Sequence, residues 1–108
     1  MRGVSVQITK WVDDYQPGII ECELFDANGR AWRFIEKLPI VSFENLNASS
    51  TYPQKGAIAC EVISERTDRH GRAVVEIDTE KPWAVESTEG ITRFTVLAES
   101  IVELENAA

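Results

Sequence analysis

Two cysteines and a single histidine are the side chains best suited to nucleophilic or soft-metal chemistry in this 108-residue chain. Cys22 lies in IIECELF, Cys60 in GAIACEVIS and His70 in ERTDRHGR. A thiolate nucleophile needs an imidazole within hydrogen-bond reach and an acid that orients it. Asp68 is two residues from His70, but the run around them is polar and reads as a solvated turn tip, not a water-excluding cleft. Zinc asks for four ligands at suitable spacing, and two Cys with one His and no CxxC do not supply them. No metal and no cofactor is therefore expected. The two cysteines read as small buried hydrophobes. A Cys/His-dependent enzyme stands behind two non-enzymatic readings.

The charged residues suggest binding. Glu21, Glu23 and Glu61 alternate along strand-like runs and read as a solvated sheet face. Arg66, Arg69 and Arg72 surround His70 at one hairpin tip, and Arg30 and Arg33 hold the equivalent place in an earlier one. Two such tips at one end of a fold would form a cationic patch for carboxylate or phosphate, or else serve as solubilising turns. Residues 1–75 carry nine basic and ten acidic groups, whereas residues 76–108 carry two basic and eight acidic, net −6. That acidic third includes Glu80, Glu86 and Glu89, and it repels phosphate backbones while steering a basic protein partner. Trp83, beside Pro82, reads as its exposed aromatic anchor. Nucleic acid is not an expected partner. The expected binding set is Trp83, Glu80, Glu86, Glu89, Arg30, Arg69 and Arg72.

The elements that must position these residues are mainly strands. Val4, Val6 and Ile8 alternate with polar neighbours, and Ile20, Cys22 and Leu24 do the same. Asp26 to Gly29 is a hairpin turn, with Arg30 to Lys37 returning. Residues 39–56 are rich in turn formers, with one helical turn expected around Phe43–Leu46. Further strands are expected at 57–65, 72–78, 83–86 and 92–98. A short tail strand or helical turn is expected at 101–104. No long window shows a capped 3.6-residue period. No run approaches the ~18 apolar residues of a membrane span. The opening MRGVSVQITKWV is not of signal-peptide type, which predicts a soluble, cytoplasmic chain.

The chain also says nearly the same thing twice. YQPGIIECELFDANGRAW, from Tyr15 to Trp32, is echoed by YPQKGAIACEVISERTDRHGRAV, from Tyr52 to Val74. Cys22-Glu23 aligns with Cys60-Glu61, and Gly29-Arg30-Ala31 with Gly71-Arg72-Ala73. Ordered matches of this kind predict an internal duplication, with units at about 15–46 and 52–91. One hairpin cannot bury its apolar face alone, so the two must pack together. One conflict stays open. A three-residue turn at Ala27-Asn28-Gly29 pairs Leu24 with Trp32 and buries Phe34, whereas the alignment of Arg33 and Ile35 with Val75 and Ile77 turns the opposite face inward. The expected fold is a single all-β domain over 1–108, a small barrel or roll with approximate twofold symmetry. The expected function is a non-enzymatic, protein-binding module, with a small-molecule-binding barrel as the alternative.

Overall fold

The computed structural model describes residues 1–104, so Glu105 of the acidic third lies outside the described residues. The elements in chain order are β1 (Arg2–Asp13), β2 (Ile19–Phe25), β3 (Ala31–Lys37), α1 (Leu38–Val41), β4 (Gln54–Ala59), β5 (Glu61–Thr67), β6 (Ala73–Asp78), β7 (Arg93–Leu97), a 3₁₀ turn (Ala98–Ser100) and β8 (Ile101–Glu103). One sheet has the order β3-β2-β1-β4, with β8 also on β1, and the other runs β5-β6-β7. The mainly β reading is correct, but the described residues do not form a closed barrel. No helix among them is long and apolar enough to cross a membrane.

The alternation read in the sequence is the inside–outside alternation of the strands. Val4, Val6 and Ile8 of β1 and Ile20, Cys22 and Leu24 of β2 all point into the core. Ile77 of β6 and Phe94 and Val96 of β7 join them from the second sheet. Phe94 sits edge-on to Trp32 at 5.3 Å between ring centroids and tilts against Phe34 at 5.8 Å, an aromatic contact that ties the two sheets together.

Three expectations about elements are corrected. The strand expected over 57–65 is two strands broken at Cys60, whose N–H donates to the Arg2 carbonyl at 3.0 Å. There the chain leaves one sheet for the other. The helical turn lies at Leu38–Val41 rather than Phe43–Leu46, because Pro39 in its first turn has φ preset for a helix start and Leu38 and Val41 both bury on its inner side. Residues 83–86 form no strand. They belong to a loop that Thr79 ties down from within.

The hairpin conflict is resolved in favour of the three-residue turn. Leu24 faces Trp32, Cys22 faces Phe34 and Glu23 faces Arg33. The second hairpin has the same turn, with Thr67 facing Ala73. Its inward face is nevertheless the opposite one, since Val75 and Ile77 are buried where Arg33 and Ile35 are exposed. A register shift between Val62 and Ser64 accompanies the change, because a bulge adds one residue and rotates the strand's faces.

Candidate functional site

The thiols and the imidazole are not brought together. Cys60 lies buried at the base of β5, and His70 is exposed at the tip beyond it. The seven residues of β5 between them span roughly 23 Å at the rise of an extended strand. Both cysteines are free thiols. Burial, with the nearby carboxylates of Glu36, Glu21 and Glu23, pushes the Cys22 thiol up to about 12. Burial likewise raises Cys60 to about 11, against a small lowering by Arg2. Near neutral pH both stay protonated and poorly nucleophilic. Among the described residues no cluster of three or more His, Cys, Asp or Glu could hold a metal ion.

The two hairpin tips do lie at one end, and a third turn of the same build joins them. In Asp26–Arg30 the Asp26 Oδ1 accepts the N–H of Asn28 at 2.9 Å and of Arg30 at 3.0 Å. In Asp68–Arg72 the Asp68 Oδ1 accepts from His70 and Arg72, both at 2.9 Å. In Ser87–Ile91 the Ser87 Oγ accepts from Glu89 at 3.2 Å and Ile91 at 3.1 Å. Gly29, Gly71 and Gly90 take the left-handed position, with φ of 81°, 78° and 78°. The third copy escaped the sequence reading, although Ser-x-x-Gly was its visible signal. Arg72 donates to the Ala27 carbonyl at 2.9 Å, and Arg30 pairs with Glu89 at 2.8 Å while lying 3.7 Å above the Trp32 ring.

These pairings answer the cationic-patch expectation. Arg30 is matched by Glu89, Arg72 by Asp68 at 2.9 Å and Arg33 by Glu21 at 3.6 Å. The turn end is largely neutralised internally, leaving exposed Arg66 and Arg69 without acidic partners among the described residues, Arg69 beside His70. Glu89 of the expected binding set is thereby tied into the turn end. Glu21 is also not a solvated carboxylate, since its side chain is 12% exposed and accepts the Thr9 hydroxyl at 3.2 Å.

A groove of about 620 Å³ lies elsewhere, where Trp83 meets α1, β4 and β8. Ser5 of β1 and Ala57 and Ala59 of β4 contribute small side chains to it, and Ile40, Val102 and Leu104 contribute apolar ones. Phe43 is 75% exposed, Trp83 54% and Met1 49%, and all three line it. Three large exposed apolar side chains thus stand around one hollow rather than scattered singly over the surface.

Local backbone geometry aims Trp83 outward. The Thr79 hydroxyl, fully buried, donates to the Val85 carbonyl at 2.6 Å, and the Thr79 N–H donates to the Thr92 carbonyl at 2.9 Å. Ala84 N–H donates to the Glu80 carbonyl at 2.7 Å and Val85 N–H to the Thr79 carbonyl at 3.1 Å. Between exposed Trp83 and buried Val85, Ala84 adopts φ 54°, a left-handed conformation costing a non-glycine residue about 1 kcal/mol or more. The reversal it makes puts Val85 in the core and Trp83 in the groove.

One carboxylate, Glu44, lines this hollow, whereas Glu80 and Glu86 flank Trp83 in sequence and Glu103, between groove-lining Val102 and Leu104, alternates to the opposite side of the chain. None of the four has a basic partner among the described residues, whereas Glu76 and Asp78 of the same acidic third pair with Arg93. Lys55 is the one base lining the groove. Burial, and then the negative charge of Glu86, raises the Glu36 carboxyl above its ordinary range, with Lys37 opposing. Sequence reasoning singled out Trp83, Glu80 and Glu86. It missed Phe43, Met1 and the small-residue floor, because Ser5 and Ala57–Ala59 come together only through β1–β4 pairing.

No protein-family model, no curated protein and no solved structure matches this chain. Its functional reading therefore rests on the groove and its charges.

Proposed function

We propose that this chain is a non-enzymatic binding module that holds a basic protein partner against the Trp83 groove. One observation carries the reading. Exposed Trp83, Phe43 and Met1 share a hollow with Glu44, which has no basic partner among the described residues, and Glu80 and Glu86, likewise unpaired, flank Trp83 in sequence. Buried apolar contact supplies affinity, and the net charge of −7 draws cationic partners in and repels acidic ones.

The test is a titration with an acetylated, amidated peptide of alternating lysine and valine, followed by NMR at the Trp83 indole N–H. The expected result is a shift of that resonance that weakens at high ionic strength and disappears in Trp83→Ala. If the indole signal stays put, or if its shift ignores salt, the reading is wrong.

The volume of the groove, inside the ~300–1,000 Å³ range of ligand pockets, supports a second reading as a small-molecule site. An apolar dye that binds there and is not displaced by the peptide would favour it. The turn shared by the β2–β3 and β5–β6 hairpins favours descent from one duplicated unit and the twofold roll, whereas their opposite inward faces count against it.

A further inference from the structure

We infer that the partner is captured as an added β-strand, an extended basic and apolar segment pairing with the open edge of β4. The inference rests on the binding-module reading above and specifies its mode.

The backbone of β4 shows which groups are open. In an antiparallel pair, directly opposed residues alternate between exchanging two hydrogen bonds and exchanging none. Cys60 donates to Arg2 at 3.0 Å, so that opposition belongs to the bonded kind. Counting back by two along the register, Ile58 opposite Val4, Gly56 opposite Val6 and Gln54 opposite Ile8 belong to it too. The backbone groups of Gln54, Gly56 and Ile58 therefore point to β1, and those of Lys55, Ala57 and Ala59 point away. β4 ends the path of its sheet, and β1 is the strand it pairs with. Among the described residues no turn, loop or side-chain bond reaches the N–H or carbonyl of Lys55, Ala57 or Ala59. Three donors and three acceptors thus form a row about 17 Å long, counted at the rise of an extended strand.

The same three residues line the groove, so the open edge and the apolar hollow are one surface. An added strand presents alternate side chains to opposite faces, so one set would meet the groove lined by Trp83, Phe43 and Glu44. Charge selects the occupant. A second copy of this chain would bring another net −7, whereas a segment bearing lysine or arginine matches that net charge and Glu44 in the groove itself.

The experiment uses the lysine–valine peptide and two N-methylated versions, one methylated at every valine amide and one at every lysine amide. An added strand turns only one of these sets towards β4. The expected result is that one methylated peptide loses binding by about tenfold or more while the other binds like the parent. In the parent complex, amide exchange at Lys55, Ala57 and Ala59 should slow, with Gly56 and Ile58 unchanged. If the parent moves the Trp83 indole and both methylated peptides bind equally well or equally poorly, strand addition is overturned and the groove reading survives. If the parent itself fails to move the indole, both fall.

Discussion

Thr79 and Val85 are joined by a hydrogen bond of 2.6 Å, from a hydroxyl with no exposed surface to a backbone carbonyl six residues on. The same hydroxyl reaches the Thr92 carbonyl at 3.2 Å, so one buried side chain ties both ends of the loop that carries Trp83. Thr79→Val keeps the shape and removes the donor. It should lower stability by about 1–3 kcal/mol, the usual penalty for a buried carbonyl left unpaired. Thr79→Ser should recover most of that loss. Urea unfolding of the three proteins checks it, and equal midpoints would show that the hydroxyl is dispensable.

Gly56 sits where α1 crosses β4. A Cβ there would lie 2.8 Å from Val41 Cγ1 and 2.9 Å from the Val41 carbonyl oxygen, and the second is backbone that cannot swing aside. Gly56→Ala should therefore cost about 1–3 kcal/mol through overpacking and push α1 away from the groove. Gly29→Ala is the comparison, since its site is open and only its φ of 81° is unfavourable. Thermal melts should rank Gly56→Ala as the more damaging.

Stability at acid pH should follow Asp68 and Asp78. The Arg72 backbone N–H, helped by that of His70 and by the Arg72 guanidinium, holds the Asp68 carboxyl below its ordinary range against the opposing effect of desolvation. The Glu80 N–H, followed by Thr92 and Arg93, does the same for Asp78. A lowered carboxylate binds fewer protons folded than unfolded. Its contribution is complete above the ordinary carboxylate range and is lost as pH falls through the depressed values. Glu36 has the opposite sign, since its raised carboxyl weakens the fold once ionised and stops doing so as pH falls. Asp68→Asn should lower the unfolding midpoint at neutral pH and flatten its acid decline, and Glu36→Gln should raise the neutral midpoint. Unfolding series across acid pH would reveal either failure.

The alkaline limb should follow Cys22. In the unfolded chain this thiol ionises near 9.0, whereas the folded one holds its proton to about 12. Ionisation therefore favours the unfolded state across that window, and stability should fall by up to about 4 kcal/mol between its ends. Cys22→Val should show a shallower decline over the same range, even if its starting stability differs. Parallel slopes would mean that the thiol is not the titrating group.

The sequence by itself determined the local character of this protein. Alternation in Val4–Ile8 and Ile20–Leu24 marked strands whose inward faces are those observed, because a two-residue period leaves only one way to bury an apolar row. The Asp-x-x-Gly runs specified the hairpin turns, because the aspartate and the left-handed glycine complete that geometry within five residues. The thiols were legible as core atoms.

Only the tertiary structure decided the rest. Which face of the second hairpin turns inward depends on a bulge between Val62 and Ser64 and on the sheet it must cover, and neither is a local property. The chain breaks at Cys60 because the β1–β4 ladder ends there, with the Cys60 N–H on the Arg2 carbonyl, and the next residues pair in the second sheet. The groove gathers Met1, Ser5, Phe43, Ala57 and Val102 around Trp83, and of these only the tryptophan announces itself singly. A groove of that kind is made by long-range strand pairing, and short-range pattern carries no record of it.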